Sequence, residues 1–332
     1  MNNKLITAVI VGLLVVVGGV GFYFFQSQQA PAKVYRVGIL SALAYFEPTI
    51  DGFKDTMTQL GYIEGKNITY DVQKGPAPVG NQAIVKKFVD DKVDLIFSFP
   101  TEATLEAKEG TQGTGIPIIS TAAAYEGTGL VESIQKPGGN LTGVRFPIPE
   151  VSAKRFEILH ELAPKATHFW IPYLKDYPTV SPSLEAIRGI AQALHITIVE
   201  APFSTPDEVA AYLVKHKNAE GMDAILTIPE PVSILPPFID QIYAFAGVHR
   251  IPVAGAVVSE TDQGAVFSLI PDAYTFGVLV APLADKIFKG TLVGSIPIAT
   301  PPMVFIINYK VVKKLGLTVS ESLLSTADKI IH

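Results

Sequence analysis

Six aromatic residues stand where predicted strands give way to loops, and their side chains could bind a ligand without reacting with it. They are Tyr45, Phe46, Phe99, Tyr125, Tyr173 and Tyr177. An aromatic ring offers a large contact area with few torsions to freeze, so several rings around one cleft suit a flat or apolar ligand group. Tyr45 and Phe46 are the strongest candidates, since packing in the core explains Phe99 equally well.

The sequence lacks the motifs of common catalytic sites. It contains no Gly-x-Ser-x-Gly nucleophile elbow, no Gly-x-x-x-x-Gly-Lys phosphate loop and no His-Glu-x-x-His zinc motif. Its 6 histidines are scattered without ligand spacing, and the absence of cysteine excludes thiolate nucleophiles and thiolate metal sites. We therefore expect a binding protein with no metal and no cofactor, and an exported α/β enzyme is the weaker alternative.

Length and charge narrow the class of protein further. A chain of 332 residues with 48% hydrophobic content is long enough for two packed domains. The 26 basic and 31 acidic residues give a net charge of -5, too near neutral for a polyphosphate-binding surface. Nucleic acid is therefore not expected as a partner.

The amino-terminal segment has the properties of a membrane helix. Residues 5–25 carry no charge and follow Lys4, and at about 1.5 Å per residue they would span about 30 Å, one hydrocarbon core. The positive charge before the segment favours an inside amino terminus and an extracytoplasmic remainder. Ala30-Pro31-Ala32 could be a cleavage site, which would make the segment a signal peptide, but its length favours a retained anchor.

Short apolar strands alternate with amphipathic helices in the first half of the chain. Ile50, Phe53 and Met57 recur at helical spacing, and Gly61 can end that helix in the left-handed conformation. In the predicted strands the apolar residues are continuous and do not alternate with polar residues. This pattern indicates a parallel sheet covered by helices on both faces. Strands are predicted at 37–40, 68–72, 93–99 and 116–120, and further helices at 84–89 and 102–109.

The second half repeats this pattern. Asp94-Leu-Ile-Phe-Ser-Phe-Pro100 matches Asp223-Ala-Ile-Leu-Thr-Ile-Pro229 in the placing of Asp, Ile and Pro. Ile116-Pro117-Ile118 likewise matches Ile251-Pro252-Val253. The sequence therefore predicts two similar α/β lobes. Because ligands of open parallel sheets sit beyond the carboxyl ends of the strands, we expect one cleft between the lobes that admits a solute.

Four motifs in order carry a resemblance to a known family. They are Val37-Gly38-Ile39-Leu40, Leu60-Gly61-Tyr62-x-Glu64-Gly65-Lys66-Asn67, Lys136-Pro137-Gly138-Gly139-Asn140-Leu141-Thr142-Gly143 and Leu315-Gly316-Leu317. Together they resemble the ABC transporter substrate-binding proteins, a family that includes tryptophan and tyrosine binders. The second and third motifs in this order are specific, and the resemblance covers residues 34–332.

This resemblance implies a type I periplasmic-binding-protein fold with two Rossmann-like lobes joined by three crossing segments. One lobe would comprise residues 34–144 with 272–298, and the other residues 145–271 with 299–332. The ligand would be a small molecule, with an aromatic or hydrophobic amino acid as the leading case, and a monomeric protein would hand it to an ABC permease in the membrane. An anchored extracytoplasmic ligand sensor is the alternative.

An amino-acid ligand needs donors for its carboxylate and an acceptor for its ammonium group. Backbone N–H groups at helix starts and the hydroxyls of Ser98, Thr101 or Thr121 can supply the donors. Glu230 is a candidate acceptor, although a solvated acid in the first turn of a helix explains it equally well. Asp272 is a further candidate, although capping of the following helix explains it better.

The chain departs from the family pattern at two polar positions. Relatives commonly show Asp-Pro before the Gly-Leu-Val run, where this chain has Ala124-Tyr125. They show Ser-Asp or Ser-Glu after Ile-Pro-x, where this chain has Gly255-Ala256. The departures indicate a ligand that is more apolar or that lacks the usual ammonium partner.

Overall fold

The structure is a computed structural model that describes residues 33–76 and 80–332. The predicted membrane segment at 5–25 and the possible cleavage site lie outside the described residues. Within the described part of the chain, none of the helices combines the length and the hydrophobicity needed to traverse a bilayer.

The first lobe contains a sheet of five parallel strands in the order β2-β1-β3-β4-β5. Every residue of the central strands β3 and β4 is buried, which confirms that the continuous apolar runs lie between two layers of helices. The strands are β1 Tyr35–Ser41, β2 Ile68–Lys74, β3 Leu95–Phe99, β4 Ile118–Ala123 and β5 Leu141–Arg145. The helices are α1 Pro48–Gln59, α2 Gln82–Asp90 and α3 Thr101–Gly110, with a 3₁₀ turn at Ala44–Phe46.

The second lobe contains seven strands in the order β12-β11-β10-β9-β8-β6-β7. The strands are β6 His168–Leu174, β7 Thr197–Phe203, β8 Ala224–Leu226, β9 Val253–Gly255, β10 Phe267–Ile270, β11 Val304–Asn308 and β12 Lys329–Ile331. Its helices are α4 Ile148–Leu162, α5 Val180–Ala193, α6 Pro206–Lys215, α7 Pro231–Ile234, α8 Pro236–His249, α9 Ser259–Gln263, α11 Tyr309–Leu315 and α12 Glu321–Ser325. Helix α10 Ala273–Phe288 lies between β10 and β11 in the chain but packs in the first lobe.

One strand pair departs from the expected parallel arrangement. β10 and β11 are antiparallel, whereas β12 pairs parallel with β11. After β10 the chain crosses to the first lobe and forms α10 there. The returning strand β11 therefore enters the second sheet from the side of the first lobe and runs away from it.

Helix α10 completes the first lobe by direct backbone contact with α1. A Cβ atom added at Gly277 would lie 2.0 Å from the carbonyl oxygen of Thr49 and 2.4 Å from the nitrogen of Phe53. A Cβ atom at Gly52 would lie 2.2 Å from the carbonyl oxygen of Tyr274. Only glycine at both positions allows this close approach.

The segments that cross between the lobes are hydrogen-bonded to each other. The N–H of Arg145 donates to the carbonyl of Ala299 at 2.8 Å, and the N–H of Ala299 donates to the carbonyl of Gly143 at 2.9 Å. A third crossing lies between β10 and α10. The exact lobe boundaries, 34–144 with 272–298 and 145–271 with 299–332, stay predictions.

The matching aspartates of the two halves have the same structural role. A carboxylate oxygen of Asp94 accepts the N–H of Arg36 in β1 at 2.8 Å. A carboxylate oxygen of Asp223 accepts the N–H groups of Thr167 and His168, the latter in β6, both at 2.9 Å. Each aspartate thus fixes the start of the neighbouring strand, which explains why the pattern recurs in both halves.

Candidate functional site

The carboxyl ends of parallel strands of both lobes, among them β1, β3, β6 and β8, face one seam, which encloses a small cavity. Its volume is about 20 Å³, and its lining includes Phe46, Pro100 and Thr101 from the first lobe and Tyr177, Glu230 and Val257 from the second. This volume holds about one water molecule. The expected cleft is therefore closed in this arrangement and does not admit a solute the size of an amino acid.

A larger surface depression lies elsewhere on the second lobe. It has a volume of about 610 Å³ and is lined by Ala166, Asp223 and Pro252, which precede β6, β8 and β9. These are the amino-terminal ends of the strands. Because ligands of open parallel sheets bind beyond the carboxyl ends, we place the functional site at the seam.

The 3₁₀ turn after β1 brings Tyr45 and Phe46 to the seam. The hydroxyl of Tyr45 accepts the N–H of Val258 in the second lobe at 3.4 Å, and burial raises the pKa of Tyr45 to about 12. Phe46 is 4% exposed, lines the cavity and lies edge-on to Tyr45 with 5.0 Å between the ring centroids. The two rings thus form an aromatic corner at the lobe interface.

A hydrogen bond between Tyr177 and Glu102 joins the two lobes. The Tyr177 hydroxyl donates to both carboxylate oxygens of Glu102, at 2.9 and 3.0 Å. Burial raises the pKa of Glu102 to about 7. Sequence reasoning missed Glu102, because an acid in the first turn of a helix is common and gives no sign of burial.

Glu230 faces the same cavity from the second lobe. It caps α7: its Oε2 accepts the N–H groups of Val232 at 3.0 Å and Leu174 at 3.2 Å. Its Oε1 is buried and has no hydrogen-bond partner among the described residues. The side chain is 1% exposed, so it is not a solvated first-turn acid, and burial raises its pKa to about 8.

Two threonines place hydroxyl groups around the seam. Thr101 lines the cavity, and its Oγ1 accepts the N–H of Ala124 at 3.0 Å. Thr179, which the sequence did not single out, also lines the cavity, and its buried Oγ1 has no partner in the described part of the chain. Thr179 is therefore a hydroxyl available for one hydrogen bond to a ligand.

The remaining predicted site residues do not line the cavity. They are Ser98, Phe99, Thr121, Tyr125, Tyr173 and Asp272. Ser98 and Phe99 are completely buried in β3, where the Ser98 hydroxyl donates to Thr104 Oγ1 at 3.1 Å. Thr121 is completely buried in β4, and Tyr125 hydrogen-bonds Ser120. A ligand role for each of these residues stays a prediction.

The other two members of this set have structural partners of their own. Tyr173 donates its hydroxyl to Glu200 at 3.4 Å, on the outer side of the second lobe. Asp272 is the N-cap of α10, where its carboxylate accepts the N–H of Thr275 at 2.8 Å. This contact is the capping role that the sequence favoured for Asp272.

A buried polar network supports the seam loop of the second lobe. The guanidinium of Arg155, which is fully buried, donates to the carbonyls of Thr227 and Ala254, both at 2.7 Å. Glu260 accepts the N–H groups of Ala256 and Val257, the latter at 2.8 Å. Burial raises the pKa of Glu260 to about 7. Glu260 thus supplies a carboxylate at the loop that contains Gly255-Ala256.

The buried carboxyl groups predict a loss of stability as the pH rises from 6 to 8.5. The pKa values of Glu102, Glu230 and Glu260 are raised to about 7, 8 and 7 by burial, so the folded protein holds protons that the unfolded chain releases. The free energy of unfolding therefore falls with increasing pH in this window. Thermal melting of the protein alone should show a lower Tm at pH 8.5 than at pH 6. The substitution Glu230→Gln should make the decrease of Tm with pH smaller. A Tm that rises over this range would contradict the assignment.

Comparison with known proteins identifies the family. The family model described as ABC transporter substrate binding protein matches residues 41–331. The chain belongs to this family. ABC transporter substrate-binding proteins are extracytoplasmic binding proteins rather than enzymes, and the resemblance found in the sequence is thereby confirmed. Among the described residues, no group of three His, Asp or Glu side chains is placed to hold a metal ion.

Individual relatives of this ABC substrate-binding protein agree with the assignment. A tyrosine-binding protein of Clostridioides difficile is 28% identical over 294 residues, which cover 86% of this chain and 82% of the relative. A ligand-free, open substrate-binding protein with adhesive properties from Clostridium difficile is 25% identical, with a TM-score of 0.69 over 90% of this chain and 99% of the other. A protein from Streptococcus pneumoniae in complex with L-Trp has the same fold, with a TM-score of 0.79 and 21% identity. The match covers 90% of this chain and 100% of the other.

Proposed function

We propose that this substrate-binding protein holds an aromatic or hydrophobic amino acid between its lobes and delivers it to an ABC permease. The observation that carries the proposal is the meeting of the aromatic side chains of Tyr45, Phe46 and Tyr177 with the buried carboxyl groups of Glu102 and Glu230 at one seam. The rings suit a flat apolar group, and a carboxylate suits an ammonium group. The tyrosine-binding relative supports this class of ligand.

The proposed mechanism is an opening and closing of the lobes. The closed seam has room for about one water molecule, so binding begins with the lobes apart. A ligand that contacts both lobes has more contacts in the closed form and shifts the equilibrium toward it. The hydrogen-bonded crossing segments at Gly143, Arg145 and Ala299 lie where such a hinge must bend. The permease would recognise the closed form, while residues 5–25 would anchor the protein in the membrane.

A thermal-shift screen tests the proposed function. L-tryptophan, L-tyrosine, L-phenylalanine and branched amino acids are added to the purified protein, and the Tm is recorded. A ligand present at a hundred times its Kd adds about 2.7 kcal/mol of stability, which raises the Tm by roughly 5 °C or more. Glycine and glucose serve as controls that lack an apolar side chain or an amine. If no amino acid raises the Tm at about 1 mM, the amino-acid assignment fails.

A further inference from the structure

We propose that Glu102 and Glu230 enclose the ammonium group of the ligand from opposite lobes, and that recognition does not require a ligand carboxylate. The assignment rests on the proposed function and specifies the ligand class: primary amines with an aromatic group, whether amino acids or the corresponding amines without a carboxylate.

The two carboxyl groups both lie near the hydroxyl of Tyr177. Tyr177 donates its hydroxyl to Glu102, and the carboxylates of Glu102 and Glu230 both add to the rise that burial causes in the pKa of Tyr177. Glu102 is 5% and Glu230 is 1% exposed. An ammonium group has three N–H donors, so it can replace the single O–H of Tyr177 at Glu102 and also reach the unpartnered Oε1 of Glu230.

No cationic side chain faces these acids from the cavity. Among the described residues, the lining contains no Lys, Arg or His. The buried Arg155 of the second lobe donates instead to the carbonyls of Thr227 and Ala254. A ligand carboxylate would therefore enter a seam that holds two acids and no cation, and it would be repelled once these acids ionise.

Four backbone amides around the seam that could receive a carboxylate are engaged by the protein itself, whereas the first turn of α3, which begins at Thr101, has no side-chain cap. The N–H of Ala124 donates to Thr101, those of Ala256 and Val257 donate to Glu260, and that of Val258 donates to Tyr45. The hydroxyls of Thr101, which only accepts a hydrogen bond here, and of Thr179, which is unpartnered, can each donate one hydrogen bond. Two neutral hydroxyl donors and no cation in the lining, beside two acids, favour an amine as the group that decides binding.

Protonation links this site to pH. The pKa values of Glu102 and Glu230 are raised by burial, with small further contributions from the carboxylates of Glu106 and Glu260 respectively, and Tyr177 contacts Glu102. Both acids must ionise to pair with an ammonium group, so binding releases protons. The affinity for an amine therefore rises between pH 6 and 8.5, a range over which tyramine stays protonated.

Calorimetry with three ligands that share one ring tests the inference. L-tyrosine, tyramine and 3-(4-hydroxyphenyl)propionate are titrated into the protein, together with the tryptophan, tryptamine and indole-3-propionate set. We expect tyramine or tryptamine to bind within about tenfold of the amino acid or more tightly, and the deaminated acid to bind at least about a hundredfold more weakly. Amino-acid binding without amine binding would overturn the inference but leave the proposed function intact, whereas binding of the amines alone would refute only the amino-acid assignment. If none of the six ligands binds, the inference fails, and the proposed function then depends on the phenylalanine and branched amino acids of the thermal-shift screen.

Variants locate the effect at the two acids. Glu102→Gln and Glu230→Gln should each lower the affinity for the amine at least about tenfold and flatten its pH dependence. Glu109→Gln is the matched control, since Glu109 lies exposed on the same helix as Glu102. Unchanged affinity in both seam variants would overturn the inference. If a variant fails to fold, the unaltered protein provides the test. An affinity for the amine that does not change between pH 6 and 8.5 would also overturn the inference.

Discussion

Gly277→Ala is expected to destabilise the protein by about 3 kcal/mol or more, because the added methyl group collides with backbone atoms. The Cβ atom would lie 2.0 Å from the carbonyl oxygen of Thr49 and 2.4 Å from the nitrogen of Phe53. Neither atom can rotate away as the end of a side chain could, so α10 must move off α1. The hydrogen bond from the Thr49 hydroxyl to the carbonyl of Ala273, 2.8 Å long, would be strained or lost with it.

Gly247→Ala is the matched control for this prediction. Gly247 also lies inside a helix, α8, but a Cβ atom there would meet nothing within 4 Å. Alanine at that position should stabilise the helix by about 0.5–1 kcal/mol, because it has less backbone entropy to lose than glycine. Urea unfolding followed by circular dichroism measures both changes. Equal stability of the two variants would show that the α1–α10 contact is not as close as described.

Arg155→Met is expected to lower the free energy of unfolding by about 3–5 kcal/mol, since it breaks a buried charged network. The carbonyls of Thr227 and Ala254 lose their donors, and Glu260 loses the cation whose attraction lowers its pKa. The pKa of Glu260 should therefore rise further. The free energy of unfolding of the variant should then be lower at pH 8 than at pH 6. Arg155→Lys should not restore the stability, because an ammonium group does not reproduce the forked donors of a guanidinium.

Arg188→Met is the control for the arginine prediction. The side chain of Arg188 is 55% exposed and pairs with Glu200 at the surface, so its loss should change the stability by no more than about 0.5 kcal/mol. Urea unfolding at pH 6 and pH 8 is the measurement for all three variants. If the Arg155→Met variant proves as stable as the Arg188→Met variant, the buried network contributes nothing to the fold.

Local sequence patterns were sufficient to predict most strands and helices of the first lobe. The continuous apolar run at 93–99 became β3, and the stripe of Phe53 and Met57 became the buried face of α1. Gly61 ends that helix with φ +93°, and the N–H of Tyr62 donates to the carbonyl of Met57 at 2.9 Å. Each of these features depends on residues a few positions apart, where spacing and glycine have a direct physical meaning.

The site was harder to predict because it depends on residues far apart in the chain. Glu102 is buried by Tyr177, 75 positions away, and nothing near either residue indicates the contact. Ser98 and Phe99 lie at the end of a strand in which every residue is buried, so their spacing does not tell which side chains face the seam. The antiparallel β11 likewise follows from a return between lobes that no local pattern encodes.

The distance along the chain between α1 and α10 has a consequence for protein synthesis. Thr49 and Ala273, whose contact joins these helices, are 224 positions apart. A nascent polypeptide that stops short of residue 273 therefore leaves the glycine face of α1 uncovered. The first lobe is complete only after α10 has been synthesised. Contacts of such long range slow folding, so the lobe should reach its native packing only after most of the polypeptide has left the ribosome.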